Sequence, residues 1–287
     1  MVDIILGILC FNIILIFFKL LDKYGVDNLQ AISVNYVTAG CLSIFLTPRS
    51  YSISEVIHAN WFYYAVGVGV MFILVFNLLA KASQKIGMAI PTVANKMSLV
   101  IPIIIAIFLF NDSISILKSL GILLALAGVY FVSTSGNKLS FDKKYLGLIL
   151  IIFFGQGLAD VLFAIAEKWF VGADDLGIFF CVIFTSAGTL GLIMLIPQLI
   201  KGSSKFQFKN VLWGIGLGIP NFLTLLFFFR SLDSGELESS QVYPIYNIGV
   251  VVLSAIIGFL IFKEKLSTSN WIGVLLSVAA ILAIAMG

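Results

Sequence analysis

Long apolar runs alternate with short polar connections along the whole chain. Each run has about twenty residues, the length that an α-helix needs to cross the hydrocarbon core of a bilayer. The pattern predicts an all-α polytopic membrane protein with ten transmembrane helices, for which the lipid bilayer is the solvent. The predicted spans cover residues 2–21, 28–47, 61–80, 87–110, 115–133, 145–168, 176–200, 210–230, 239–262 and 270–286.

Composition supports this interpretation. Hydrophobic residues make up 61% of the 287 residues, charged residues 11%, and the mean hydropathy is +1.13, whereas soluble domains are about half apolar and about a quarter charged. Ten spans leave no room for a separate soluble domain. The net charge of +3 is spread along the chain, which excludes nucleic acid as a partner. Three cysteines inside apolar runs and a single histidine predict neither a metal site nor a cofactor.

The two halves of the chain resemble each other. Residues 65–70 align with 214–219, and at a similar offset Asn95 aligns with Asn247 and Asp112 with Glu264. We therefore expect two five-helix repeats, 1–136 and 137–287. Because five is odd, the second repeat enters the membrane from the opposite side, which gives the inverted repeat that many transporters use for alternating access.

Basic residues predict the orientation. The odd-numbered connections hold twelve Lys and Arg residues and the even-numbered connections hold four. Because cytoplasmic loops are enriched in Lys and Arg, the odd connections are predicted to be cytoplasmic and both termini to lie outside.

The end of the fourth helix of each half carries an acidic residue, in Phe110-Asn111-Asp112-Ser113-Ile114 and in Phe262-Lys263-Glu264-Lys265-Leu266, and a glycine-containing fifth helix follows. With ten spans in two halves, this arrangement resembles the drug/metabolite transporter superfamily, EamA type. The resemblance covers nearly the whole chain. It implies secondary transport of a small metabolite through a central cavity lined mainly by helices 1, 3, 4, 6, 8 and 9. Members of the superfamily usually have both termini in the cytoplasm, so the predicted orientation departs from the family pattern.

A second resemblance lies in Val93-Ala94-Asn95-Lys96, which is similar to the Ala-x-Asn-Lys element of nucleotide-sugar carriers. In those carriers the element lies in the second half and contacts the sugar nucleotide, whereas here it lies in the first half. A sugar or sugar-nucleotide carrier therefore remains an alternative.

Two ionisable side chains lie deep in apolar runs, Lys96 in the fourth span and Asp160 in the sixth. A charge near the bilayer centre costs about 2.5–3.5 kcal/mol on insertion scales and is retained mostly where it faces a cavity, a partner or a substrate. One alternative is a structural Lys–Asp pair. Their predicted depths differ by about 9 Å at ~1.5 Å per helical residue, so we expect each to meet water, polar groups or opposite ends of a ligand.

Polar neutral side chains form a second group of candidates. We expect Asn12, Gln156, Asn95, Tyr243 and Asn247 to line the cavity and to orient a substrate by hydrogen bonds, with Asn95 and Asn247 related by the repeat. Lys96 would bind a carboxylate or phosphate, and Asp160 an amine, a hydroxyl or a coupled proton. The pattern favours a small anionic or zwitterionic metabolite, with an amino acid as the leading hypothesis.

Other function classes fit less well. The sequence has no P-loop, GxSxG or HExxH motif, so we expect no catalytic residues and no enzymatic activity. A non-transporting membrane scaffold remains an alternative, although it would not require two intramembrane charges. We expect a secondary transporter of the bacterial cytoplasmic membrane that uses a substrate gradient, a coupling proton or ion, or exchange. Both a monomer and a homodimer remain open.

Overall fold

The structure is a computed structural model of the chain. It describes residues 1–47, 50–110, 115–135, 138–139, 143–233 and 239–286. Asp112, which the repeat aligns with Glu264, lies outside the described residues.

The fold is helical. Short 3₁₀ turns precede or follow several helices, and the two-residue strands Thr134–Ser135 and Lys138–Leu139 pair in antiparallel register. The α-helices are α1 (Val2–Lys23), α2 (Asn28–Ser43), α3 (Ile53–Ile57), α4 (Phe62–Ile86), α5 (Ala89–Met97), α6 (Val100–Phe110), α7 (Ile116–Ser133), α8 (Leu146–Trp169), α9 (Leu176–Ile200), α10 (Phe208–Asp233), α11 (Ser239–Leu260) and α12 (Thr268–Met286).

Eight helical segments in the described residues are long and apolar enough to cross a membrane, which confirms an all-α, multi-pass membrane protein. Two shorter apolar stretches, Ala89–Ile105 and Ile245–Leu260, fall within the other two predicted spans. The count of ten crossings and the inverted repeat therefore stay predictions. The eight segments are Val2–Lys23, Asn28–Leu46, Phe62–Ile86, Ile116–Ser133, Lys143–Trp169, Leu176–Ile200, Phe208–Phe228 and Thr268–Met286.

The predicted span 87–110 is not one continuous helix, which corrects the sequence prediction. It breaks at residues 98–99 between α5 and α6. Pro102 has no N–H to donate to the carbonyl of Ser98, which accepts instead from the Ile101 N–H at 2.9 Å. The Ser98 hydroxyl donates to the carbonyl of Asn95 at 2.5 Å. Because α5 begins at Ala89 and α6 at Val100, Pro91 and Pro102 each lie in the first turn of a helix. A missing N–H costs little in that turn.

The chain packs into two compact units. The first comprises Met1–Lys19, Leu78–Gly157 and Leu223–Gly287, and the second Leu20–Asn77 and Leu158–Phe222. The repeats 1–136 and 137–287 concern similarity between halves of the sequence rather than packing, so that division stays a prediction.

In the first unit, α7 packs along α12 through small residues. A Cβ on Gly121 would lie 2.9 Å from the Ala280 carbonyl oxygen, and one on Gly273 would lie 2.2 Å from the Val132 nitrogen. Small residues let membrane helices approach this closely. The side chain of Asn270, at the start of α12, donates to the Val132 carbonyl at 2.5 Å.

In the second unit, α2 packs along α9 in the same manner. A Cβ on Gly40 would lie 2.8 Å from the Thr185 side chain, and one on Gly188 would lie 2.8 Å from the Val37 side chain. The repeat aligns α2 with α9 and α7 with α12, so each of these pairs joins two helices that the sequence predicts to be equivalent.

Candidate functional site

The site begins with the half-helix α5, which ends one residue after Lys96. The break at residues 98–99 leaves Lys96 in the last turn of α5. Carbonyl groups at a helix C-terminus carry partial negative charge and favour a cation there, by about 0.3–1 kcal/mol at an exposed site. A broken helix with its ends inside the membrane is a frequent feature of substrate sites in secondary transporters.

The Lys96 ammonium lies over aromatic rings. Its Nζ is 4.0 Å from the ring centroid of Phe11 in α1 and 5.4 Å from that of Tyr246 in α11. The negative face of an aromatic ring attracts a cation within about 6 Å, by roughly 0.5–2 kcal/mol depending on desolvation. The rings and the helix end thus stabilise a positive charge at this position.

The Tyr246 ring is held in place by close helix packing within the first unit. The ring of Tyr246 is 5% exposed and meets the ring of Phe228 edge-on at 5.0 Å between centroids. Gly7 of α1 leaves room for Tyr246, because a Cβ there would lie 3.0 Å from the tyrosine ring. These contacts hold the Tyr246 ring, which is one of the two rings over which the Lys96 amine lies.

Asn95 and Gln156, both predicted as site residues, bond to each other. The side-chain amide of Asn95 donates to the Gln156 side-chain oxygen at 3.0 Å, which links α5 to α8. Asn12, which is 1% exposed, donates to the carbonyl of Ile8 one turn earlier in α1 at 2.9 Å. Its Oδ1 atom is a buried acceptor that has no hydrogen-bond partner among the described residues.

For the other three predicted site residues, the structure gives mainly the helix to which each one belongs. Asn247 follows Tyr246 in α11 and is half-buried. Tyr243 belongs to the same helix, but its side chain lies outside the described residues. Asp160 is a half-buried residue of α8 in the second unit, whereas Lys96 belongs to the first. A role for Asp160 opposite Lys96 stays a prediction.

Other amides in the apolar helices form hydrogen bonds between or within helices. Asn221 of α10 donates to the side-chain oxygen of Asn35 in α2 at 3.1 Å, and Asn35 is fully buried. Asn77 donates to the carbonyl of Ile73 in its own helix at 2.8 Å. The bond between Asn221 and Asn35 is typical of helix association in membranes, whereas that of Asn77 stays within α4.

The described residues contain no group of three or more His, Cys, Asp or Glu side chains that could hold a metal ion. What the first unit offers instead is a cation at a helix end, two aromatic faces, an amide pair and a buried acceptor. This set of groups is suited to binding a small polar molecule by charge and hydrogen bonding.

Two features of this region were not identified from the sequence. Phe11 is one of 26 phenylalanines, and its only local signal is that it precedes Asn12 in an otherwise apolar helix. The second feature is the ion pair between Lys19 and Glu264, whose charged atoms are 2.8 Å apart. Glu264 was visible as part of the family resemblance, but its partner lies far away in the sequence.

Comparison with known proteins agrees with the helical architecture. An uncharacterized protein of Haemophilus influenzae is 30% identical over 289 residues, covering 97% of this chain and 96% of the relative. A solved crystal structure superposes with a TM-score of 0.63 at 15% identity, covering 99% of this chain and 98% of the other, and so supports the fold alone.

The model of the EamA-like transporter family matches residues 172–286. This match and the Haemophilus influenzae relative confirm the resemblance drawn from the fourth and fifth helices of each half. Members of this family are transporters rather than enzymes. The chain belongs to the EamA-like transporter family of the drug/metabolite transporter superfamily and is an integral, multi-pass membrane protein.

Proposed function

We propose that this protein is a secondary transporter that moves a small anionic or zwitterionic metabolite across the bacterial cytoplasmic membrane by alternating access. An amino acid is the substrate class that we favour. Lys96 binds the anionic group of the substrate, and polar side chains around it orient the rest of the molecule.

The position of Lys96 carries this proposal. An ammonium within the membrane-spanning region is costly, and here the end of α5 and the faces of Phe11 and Tyr246 stabilise it. An ammonium forms charge-assisted hydrogen bonds with carboxylate and phosphate groups, so an anionic group is the part of a substrate that Lys96 suits.

The neighbouring groups favour a substrate with a second polar group. Asn95 and Gln156 form a hydrogen-bonded pair beside Lys96, and Asn12 has a buried acceptor oxygen on the helix that carries Phe11. An acceptor of this kind suits an ammonium or hydroxyl donor. In the proposal, Asp160 and Asn247 meet the end of the substrate remote from Lys96, or Asp160 carries a coupled proton.

Alternating access is supported by two observations. The half-helix α5 resembles the discontinuous helices at transporter substrate sites, and α2–α9 and α7–α12 pair helices that the repeat predicts to be equivalent. In the proposed cycle, one set of helices moves against the other around a site near the membrane centre.

The test begins with a ligand screen on purified protein. Amino acids, sugars, nucleosides and phosphorylated metabolites are compared by the rise in melting temperature, which grows with occupancy of the folded state. Lys96→Met should abolish the shift given by anionic ligands, since losing one partner of a buried charge pair costs about 2–5 kcal/mol. Lys96→Arg should impair binding, because a planar fork replaces a compact ammonium over the rings.

Lys201→Met is the matched control, since Lys201 is exposed in the α9–α10 connection and should leave the ligand shift unchanged. Uptake or exchange of the same ligand in proteoliposomes separates a transporter from a scaffold. If Lys96→Met misfolds and Asp160→Asn rescues folding, the two charges form a structural pair and the binding role of Lys96 is wrong.

A further inference from the structure

Outside the candidate site, Glu264 of the first unit makes an ion pair with Lys19 and accepts a backbone N–H. Its two carboxylate oxygens accept the backbone N–H of Met88, each at 2.9 Å. One of them also lies 2.8 Å from the Lys19 ammonium near the end of α1. Both side chains are mostly buried, at 9% exposure for Glu264 and 16% for Lys19.

The backbone is shaped to bring this carboxylate into contact with α5. After α11 the chain turns through Lys263, whose φ of 53° lies in the left-handed region, and the Glu264 N–H donates back to the Gly258 carbonyl at 2.9 Å. Gly87 has a φ of +91°, and a Cβ added to either Gly87 or Gly258 would lie 2.6 Å from a carboxylate oxygen of Glu264. The carboxylate thus fills a space between two glycines.

Met88 is the N-cap residue of α5, and Lys96 lies in the last turn of that helix. A negative charge at the start of a helix and a positive charge at its end both interact favourably with the helix dipole. With nine residues, α5 is too short to be stable by itself, since isolated helices below about 12 residues are marginal. It therefore depends on tertiary contacts, and at its start these include the Glu264 carboxylate.

We propose that Glu264 is a positioning residue for Lys96. Through the Met88 amide it fixes the start of the half-helix that ends at Lys96, and through Lys19 it ties that start to the end of α1, the helix that also carries Phe11. This inference rests on the proposed function of Lys96 in substrate binding. The Lys19–Glu264 ion pair thus fixes the position of Lys96 and the position of Phe11, one of the two rings that the Lys96 ammonium contacts.

The first test measures hydrogen exchange of the α5 amides, which needs no ligand. Glu264→Ala should speed the exchange of residues 92–97 about tenfold or more, because local opening of α5 becomes easier. Glu264→Gln and Lys19→Met should have smaller effects, since each keeps an acceptor for the Met88 N–H. Asp22→Ala, at an exposed acidic residue near the end of α1, is the control and should leave exchange in α5 unchanged.

If the α5 amides of folded Glu264→Ala exchange as in the wild type, the inference is overturned. It is also overturned if exchange rises equally in α7 and α12, which would indicate loss of stability throughout the unit. If Glu264→Ala does not fold, Glu264→Gln and Lys19→Met decide by the same criteria.

The second test measures the surroundings of residue 96 itself, through the reaction rate of a cysteine at that position. In a background with Cys10, Cys41 and Cys181 replaced by serine, Lys96→Cys reacts with the anionic reagent sulfonatoethyl methanethiosulfonate at a rate set by access and local potential. Adding Glu264→Gln should change that rate by about threefold or more, whereas adding Asp22→Asn should not.

An unchanged rate with Glu264→Gln overturns the positioning role and leaves the binding role of Lys96 intact. Failure of the binding role itself would be seen separately, as anionic ligands that bind Lys96→Met as well as they bind the wild type.

Discussion

At the scale of single residues, the chain places unfavourable groups where specific contacts compensate for them. The Lys96 amine lies in the last turn of a short apolar helix and meets two aromatic ring faces. Lys263 is the only non-glycine residue with positive φ among the described residues. For an L-amino acid this conformation costs about 1–2 kcal/mol, and here it turns Glu264 back toward Gly258 and Met88.

Lys263 therefore offers a test of backbone strain. Lys263→Gly should raise the melting temperature by a few degrees, because glycine adopts positive φ without the steric cost and helices often end on it. Lys263→Val should lower the melting temperature, since a β-branched side chain is disfavoured there. A thermal-denaturation series in detergent measures both, and equal melting temperatures for the two variants would contradict the argument.

At the scale of helices, the hydrophobic pattern predicts most elements within a few residues, because runs of about twenty apolar residues have few alternatives in a membrane protein. The break between α5 and α6 could not be placed from hydropathy, since residues 97–110 are apolar apart from Ser98. Pro102 marked the region, but a proline in a membrane helix can also be accommodated without a break. For the site, Lys96 stood out as a charge in an apolar run, whereas Phe11 did not, because aromatic residues make up 14% of the chain.

Helix pairing can be tested by replacing each of two glycines with alanine in separate variants. Gly273→Ala should destabilise the protein by about 1–3 kcal/mol, because overpacking forces adjacent groups apart and the new methyl group would meet the Val132 backbone. Gly147→Ala should be neutral or stabilising by up to about 1 kcal/mol, since a Cβ at Gly147 has no neighbour within 4 Å. Melting temperatures in matched detergent compare the two, and equal effects would mean that α7 and α12 do not depend on this close approach.

At the scale of the whole molecule, packing and sequence similarity divide the chain differently. Each unit draws helices from both halves of the sequence, and α1, α4, α8 and α10 pass from one unit into the other along their length. No local pattern encodes that α2 packs along α9, since this is a contact between distant segments. The predicted orientation is also a property of the whole chain, because it depends on basic residues in all nine connections.

The predicted orientation, with the odd-numbered connections in the cytoplasm, can be tested by cysteine labelling. Single cysteines at Ser140 and Ser203, in a background without the native cysteines, should resist an impermeant thiol reagent applied to intact cells, because both lie in connections rich in Lys. Ser54→Cys, an exposed position in a connection predicted to lie outside, is the control and should react. Labelling at 140 and 203 with protection at 54 would place the termini in the cytoplasm, as is usual in the superfamily.

The pairing of α2 with α9 and of α7 with α12 has a consequence for how the chain is made. Synthesis proceeds from the N-terminus, so α2 enters the membrane long before α9 exists, and α7 enters long before α12. Until α9 and α12 are inserted, the glycine faces of α2 and α7 contact lipid and can contact other nascent chains. Such exposed helix faces make incompletely assembled proteins prone to association. A premature stop before Thr268 would remove one helix and leave α7 without the partner that its glycine face is built to contact.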